Sequence, residues 1–147
     1  MWFLYGFALL AGIANALQSG TNATLSKSLA QPFAAAIVVS LVGAMTLLVV
    51  GLVLGRFALP TIGDIRSVPP WAWMGGVMGA FLILSQLFVA QQIGAAPYFG
   101  FLITAGVLTS ILLDHFGWIG FAQHPASPWR ILGGLLMVGG IALVAMF

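Results

Sequence analysis

Asn15-Ala16-Leu17-Gln18-Ser19-Gly20-Thr21-Asn22-Ala23-Thr24-Leu25-Ser26 is the stretch on which the reading of this chain turns. It continues an apolar run that starts at Trp2, so it reads as the second half of a membrane helix that has become polar along one side. At about 100° per residue, Asn15, Gln18, Ser19, Asn22 and Ser26 fall inside an arc of roughly 100°. Amides and hydroxyls that face lipid find nothing to hydrogen bond, so such a stripe points to a protein interior or a water-filled cavity. Two readings stay open: the lining of a solute path, or hydrogen-bonding glue between helices.

The remaining composition fixes the class. Of 147 residues, 62% are hydrophobic and 4% charged. The mean hydropathy is +1.17, so the chain is an all-α integral membrane protein with lipid as its first partner. Four basic and two acidic side chains are too few for a nucleic-acid footprint. Without cysteine there is no disulfide, thiolate nucleophile or cysteine metal site. His115 and His124 have only Asp114 as acidic company, so neither a metal nor another cofactor is expected. No nucleophile with a base in reach by spacing, and no carboxylate pair, can be assembled, which argues against an enzyme. The opening residues imitate a secretory signal, with Ala14-Asn15-Ala16 resembling a cleavage site. No Lys or Arg precedes the apolar run, however, and we expect a retained span.

A span needs about 20 apolar residues, and five segments qualify, at about 2–27, 33–54, 71–93, 97–115 and 130–147, forming one transmembrane domain over 1–147. Gln31-Pro32 breaks the first from the second, and Pro69-Pro70 and Ser127-Pro128 read as helix starts with proline in the first turn. Gly94-Ala95-Ala96-Pro97 reads as a tight connector, and Gly117 as a stop. In the third span Gly75, Gly79, Gln86 and Ala90 share a face, expected to be buried against protein. Gln86 must satisfy a donor and an acceptor in the membrane, and we place it beside Asn15 and Gln18. In the fifth span Gly133, Met137 and Gly140 share a face suited to close helix packing, within one subunit or between two. Asp114 lies at a helix C-terminus, where the dipole disfavours a carboxylate. Arg130 is its expected partner and His115 the second choice, as a structural ion pair or as a proton relay.

An odd number of spans puts the termini on opposite sides. Arg56, Arg66 and Arg130 lie on the N-terminal side and Lys27 on the other, which leans towards a cytoplasmic N-terminal side. Trp2, Trp71, Trp73, Trp118 and Trp129 also fall on the N-terminal side, as if a second, inverted copy supplied the other half of the aromatic belt.

Gln18-Ser19-Gly20-Thr21-Asn22, Trp71-Ala72-Trp73-Met74-Gly75-Gly76, Asp114-His115-Phe116-Gly117-Trp118-Ile119-Gly120 and Arg130-Ile131-Leu132-Gly133-Gly134-Leu135-Leu136-Met137 together resemble the YdcZ-like family of small bacterial inner-membrane proteins. That family lies within the drug/metabolite transporter superfamily. The resemblance covers essentially the whole chain. In the family a glutamine often follows the fourth-span glycine, whereas here Gly106 precedes Val107.

The resemblance implies half of a ten-helix inverted-repeat transporter, assembled as an antiparallel dimer, multi-pass in the bacterial inner membrane. The expected function is alternating-access export of a small organic solute, with Asn15, Gln18, Ser19, Asn22 and Gln86 contacting it. Two alternatives are a dual-topology ion channel and a non-transporting half unit that pairs with a paralogue as a heterodimer.

Overall fold

The computed structural model describes residues 2–147. Among these, all regular structure is helical, and five helices are long and apolar enough to cross a membrane: Trp2–Leu29, Pro32–Val53, Pro70–Ile93, Ala95–Phe116 and Pro128–Met146. Three begin on prolines, a residue or two ahead of where hydropathy alone puts them, because the first turn needs no amide donor. The chain forms two compact units, Met1–Gln91 and Gln92–Phe147.

The first unit starts with α1 (Trp2–Leu29) and α2 (Pro32–Val53). Only Ala30 and Gln31 separate them. Pro32 pushes its predecessor out of the helical region, and Gln31 is extended at φ −145° and ψ 96°. Ala30 takes φ 50°, a left-handed conformation usually left to glycine. After α2, Gly55 at φ 62° turns the chain, and the short α3 (Ile62–Ser67) is held by a capping box. There Thr61 Oγ1 accepts from the Asp64 N–H at 3.2 Å, and Asp64 Oδ2 accepts from the Thr61 N–H at 2.8 Å.

The third span is composite. A 3₁₀ turn at Pro70–Trp73 leads into α4 (Met74–Ser85), a π turn at Gln86–Ala90 and the single turn α5 (Gln91–Ile93). α1 packs on α2 and on the π turn, and α2 packs on α4. Ala35, Leu87 and Ala90 are the buried apolar residues of this unit, and Phe33 meets Phe88 edge to face at 5.9 Å. The expected burial of the third-span face is met only in part. Gln86 and Ala90 are buried, but Gly75 is exposed and Gly79 half-buried, with no atom within 4 Å of where a Cβ would stand on either glycine. α1 packs on the third span at the π turn, so the end of the face that carries Gln86 and Ala90 is the end it covers.

The second unit is α6 (Ala95–Phe116) packed on α7 (Pro128–Met146). Gly117 ends α6 at φ 65°, and Ser127 caps α7 by accepting from the Arg130 N–H at 3.3 Å. The helices approach through Gly100 and Gly134. A Cβ on Gly100 would run into the Ile141 side chain, 2.9 Å from Cγ1, and one on Gly134 would come within 2.8 Å of Leu108 Cδ2. The packing glycine of α7 is therefore Gly134. Gly133 and Gly140, singled out by the sequence, have nothing within 4 Å of a Cβ, and Met137 is half-buried.

Gly100→Ala should lower stability by about 1–3 kcal/mol through overpacking. Adding Ile141→Ala should recover part of that loss, as read by thermal unfolding of the single and double variants in detergent.

The hydrogen bonds from the Thr61 side chain and then its backbone hold the Asp64 carboxyl below its ordinary value of 3.8. The cap's contribution is thus full above pH 3.8 and disappears as the pH falls through the lower folded-state value. The protection factor of the Asp64 amide, its exchange rate relative to an unstructured peptide at the same pH, should fall in that acid window and stay level between pH 5 and 8.

Candidate functional site

Along α1, Ser19, Asn22 and Ser26 are buried and Asn15 is half-buried. These four lie at i, i+4, i+7 and i+11, one side of a helix. Gln18 stands at the edge of the same arc and is exposed. Apart from Gln18, then, the stripe faces protein.

What it meets is Gln86, the first residue of the π turn, 6% exposed. Asn22 Nδ2 donates to Gln86 Oε1 at 3.1 Å, and Gln86 Nε2 donates to Asn15 Oδ1 at 3.1 Å. A buried glutamine amide needs both a donor and an acceptor matched, and two residues of α1, two turns apart, supply them. The widened turn beside Gln86 is itself stabilised by a side chain. The Gln91 N–H bonds Val89 O, while Gln91 Nε2 donates to Leu87 O at 2.9 Å. The sequence reading missed Gln91. Its only signal was a second amide, next to Gln92, near the end of a mostly apolar span, which cannot be read without knowing that the helix widens there.

The other side of the α1 stripe opens on a cavity of about 440 Å³ between α1 and α2. Gln18, Thr21 and Asn22 form its polar wall, and Val38, Val42 and Gly43 of α2 lie opposite. No charged residue lines it. Thr21 Oγ1 donates to Gln18 O at 2.9 Å, so the hydroxyl faces outward as an acceptor. Asn22 belongs to both features, since it holds Gln86 and lines the cavity. Sequence reasoning had no means of finding the α2 wall, because valine on an apolar helix carries no mark of what it faces.

The remaining candidates lie elsewhere. In the second unit Arg130 Nη2 pairs with Asp114 Oδ2, and Arg130 Nη1 also donates to His124 O at 3.3 Å. His115 is not in that pair; its Nδ1 accepts from the Ala126 N–H at 3.1 Å. With the Arg130 side chain 40% exposed, the pair ties the first turn of α7 to the end of α6, and such a bridge contributes at most about 1 kcal/mol. Among the described residues no group of three or more metal-ligating side chains occurs.

Gln86→Leu and Asn22→Leu should each destabilise the protein by about 1–3 kcal/mol, because each strands the other's amide. The double variant should lose less than the sum, with a coupling of about 0.5–2 kcal/mol. A double-mutant cycle in detergent unfolding measures this.

The model of the family described as "Putative inner membrane exporter, YdcZ" matches residues 3–143. No curated protein and no solved structure matches the chain.

Proposed function

This chain belongs to the YdcZ inner membrane exporter family, and on that premise we propose that it moves a small, uncharged organic solute by alternating access as an antiparallel dimer. The observation that carries the proposal is the amide chain Asn15–Gln86–Asn22 beside an uncharged cavity, within helices of membrane-spanning length. Of these, Asn22 lines the cavity with Gln18 and binds solute there through hydrogen bonds, and no lining residue offers a titratable group for proton coupling.

Three features support the dimer. Five spans in one chain place the termini on opposite sides, the condition under which a second copy inserts inverted and completes an inverted-repeat architecture. α1 leaves large side chains uncovered, with Trp2 88% and Leu17 68% exposed. Gly75, Gly133 and Gly140 keep open space over their backbones, where small residues permit another helix to approach.

The chain contains no cysteine, so Ser67→Cys in the connector before the third span reports orientation directly. A membrane-impermeant maleimide should label about half of the molecules in intact cells, the pattern of inverted copies. In proteoliposomes a labelled neutral solute should show saturable counterflow, reduced roughly tenfold by Asn22→Ala, the effect of one lost buried hydrogen bond. Labelling of all molecules from one side removes the antiparallel assembly and leaves transport standing. Single-channel currents in place of saturable counterflow replace the carrier with a channel.

A further inference from the structure

The α1–α2 cavity has a chemistry more specific than "polar". We infer that it seats the head of a neutral carboxamide or urea carrying a short aliphatic body; this rests on the transport reading above and names its substrate class. The argument starts from what Asn22 has left to give. One Nδ2 hydrogen is used on Gln86 Oε1, leaving a second N–H and the carbonyl oxygen. Among the described residues no fully buried side-chain nitrogen or oxygen lacks a partner. Asn22 is only 4% exposed and its Oδ1 is not buried without a partner, so we assign this oxygen and the second N–H to the cavity that the residue lines.

Asn22 therefore presents a donor and an acceptor side by side, and an amide head answers both at once, N–H to oxygen and oxygen to N–H. A hydroxyl has no planar fork with which to meet both. Turning the Asn22 amide over exchanges its donor and acceptor without changing the demand. Gln18 adds a second complete amide at the rim, and Thr21 an acceptor oxygen. With no charged residue in the lining, a carboxylate or ammonium would enter without a counter-charge in a low-dielectric site. Val38 and Val42 form the far wall and take the aliphatic body. The volume of about 440 Å³ lies at the small end of ligand cavities.

Asn15 and Gln86 thereby become positioning residues. They hold Asn22 in place through the amide chain and do not line the cavity.

Equilibrium binding of radiolabelled isovaleramide to the purified protein in nanodiscs tests this without requiring flux. Binding should saturate. Unlabelled isovaleramide should displace the label, while isovalerate, isopentylamine and isopentyl alcohol at the same concentration should do so at least tenfold less well.

Asn22→Leu should abolish binding. Because that change also strands Gln86, Gly43→Leu is the cleaner variant: it projects a side chain into open space on the cavity wall and leaves the amide chain intact. It should lower affinity at least tenfold while helical content and size-exclusion profile stay unchanged.

Displacement by the carboxylate, amine or alcohol equal to that by the amide overturns the inference. So does non-saturating uptake, or undiminished binding to folded Gly43→Leu. Saturable amide binding without flux leaves this site standing and removes the transport reading. Saturable flux of another solute, indifferent to Gly43→Leu, does the reverse.

Discussion

A glutamine amide inside the hydrocarbon has one carbonyl and one NH₂ group to satisfy and no water to turn to. Gln86 meets both needs on α1, through Asn22 and Asn15. That requirement fixes which side of α1 faces the third span and how far along it the two meet, since the bonded positions are two turns apart. The π turn at Gln86–Ala90 belongs to the same solution. Widening a helix disturbs its own hydrogen bonds, and Gln91 supplies a side-chain donor to Leu87 O, so the distortion that presents Gln86 leaves no bare carbonyl there.

Of the two readings of the polar stripe, the hydrogen bonds at Gln86 show the glue, and the cavity beside Asn22 leaves room for the path proposed above. An amide has more than one hydrogen-bonding valence, and Asn22 spends one of them on Gln86 while lining a cavity with the rest. Ser19 and Ser26 are buried on the same side, whereas Gln18, at the rim, is exposed and lines the cavity. The helix thus sorts its polar groups by angle, from bonded to accessible, within one arc.

Much of this was legible because membrane physics is strict. Hydropathy and length place five spans, and Pro32, Pro70, Gly117 and Pro128 mark their ends through missing donors or a left-handed stop. The need to satisfy Gln86 pointed to Asn15 and Gln18 on α1; Asn15 does bond it, but the second partner is Asn22, one turn on from the exposed Gln18. Finer choices were not legible. Gly133 and Gly134 are equally small, and only the orientation of α7 against α6 selects Gly134. Gln18 fell inside the predicted arc because an ideal helical count cannot tell the centre of a face from its edge. Gly75 and Gly79 share the helical face of Gln86, but α1 meets the third span at the π turn, and a face count does not say how far along the span a neighbour reaches. His115 and Arg130 compete for Asp114 on paper, but the connector's path gives the ring of His115 to the Ala126 N–H instead.

The link between α1 and α2 is only Ala30 and Gln31, one left-handed and the other fully extended. Such a joint has no slack. Neither helix can slide lengthwise past the other, and the valine wall must travel with the amide wall whenever α1 shifts. In the transport cycle proposed above, the α1–α2 pair would therefore move as one jaw.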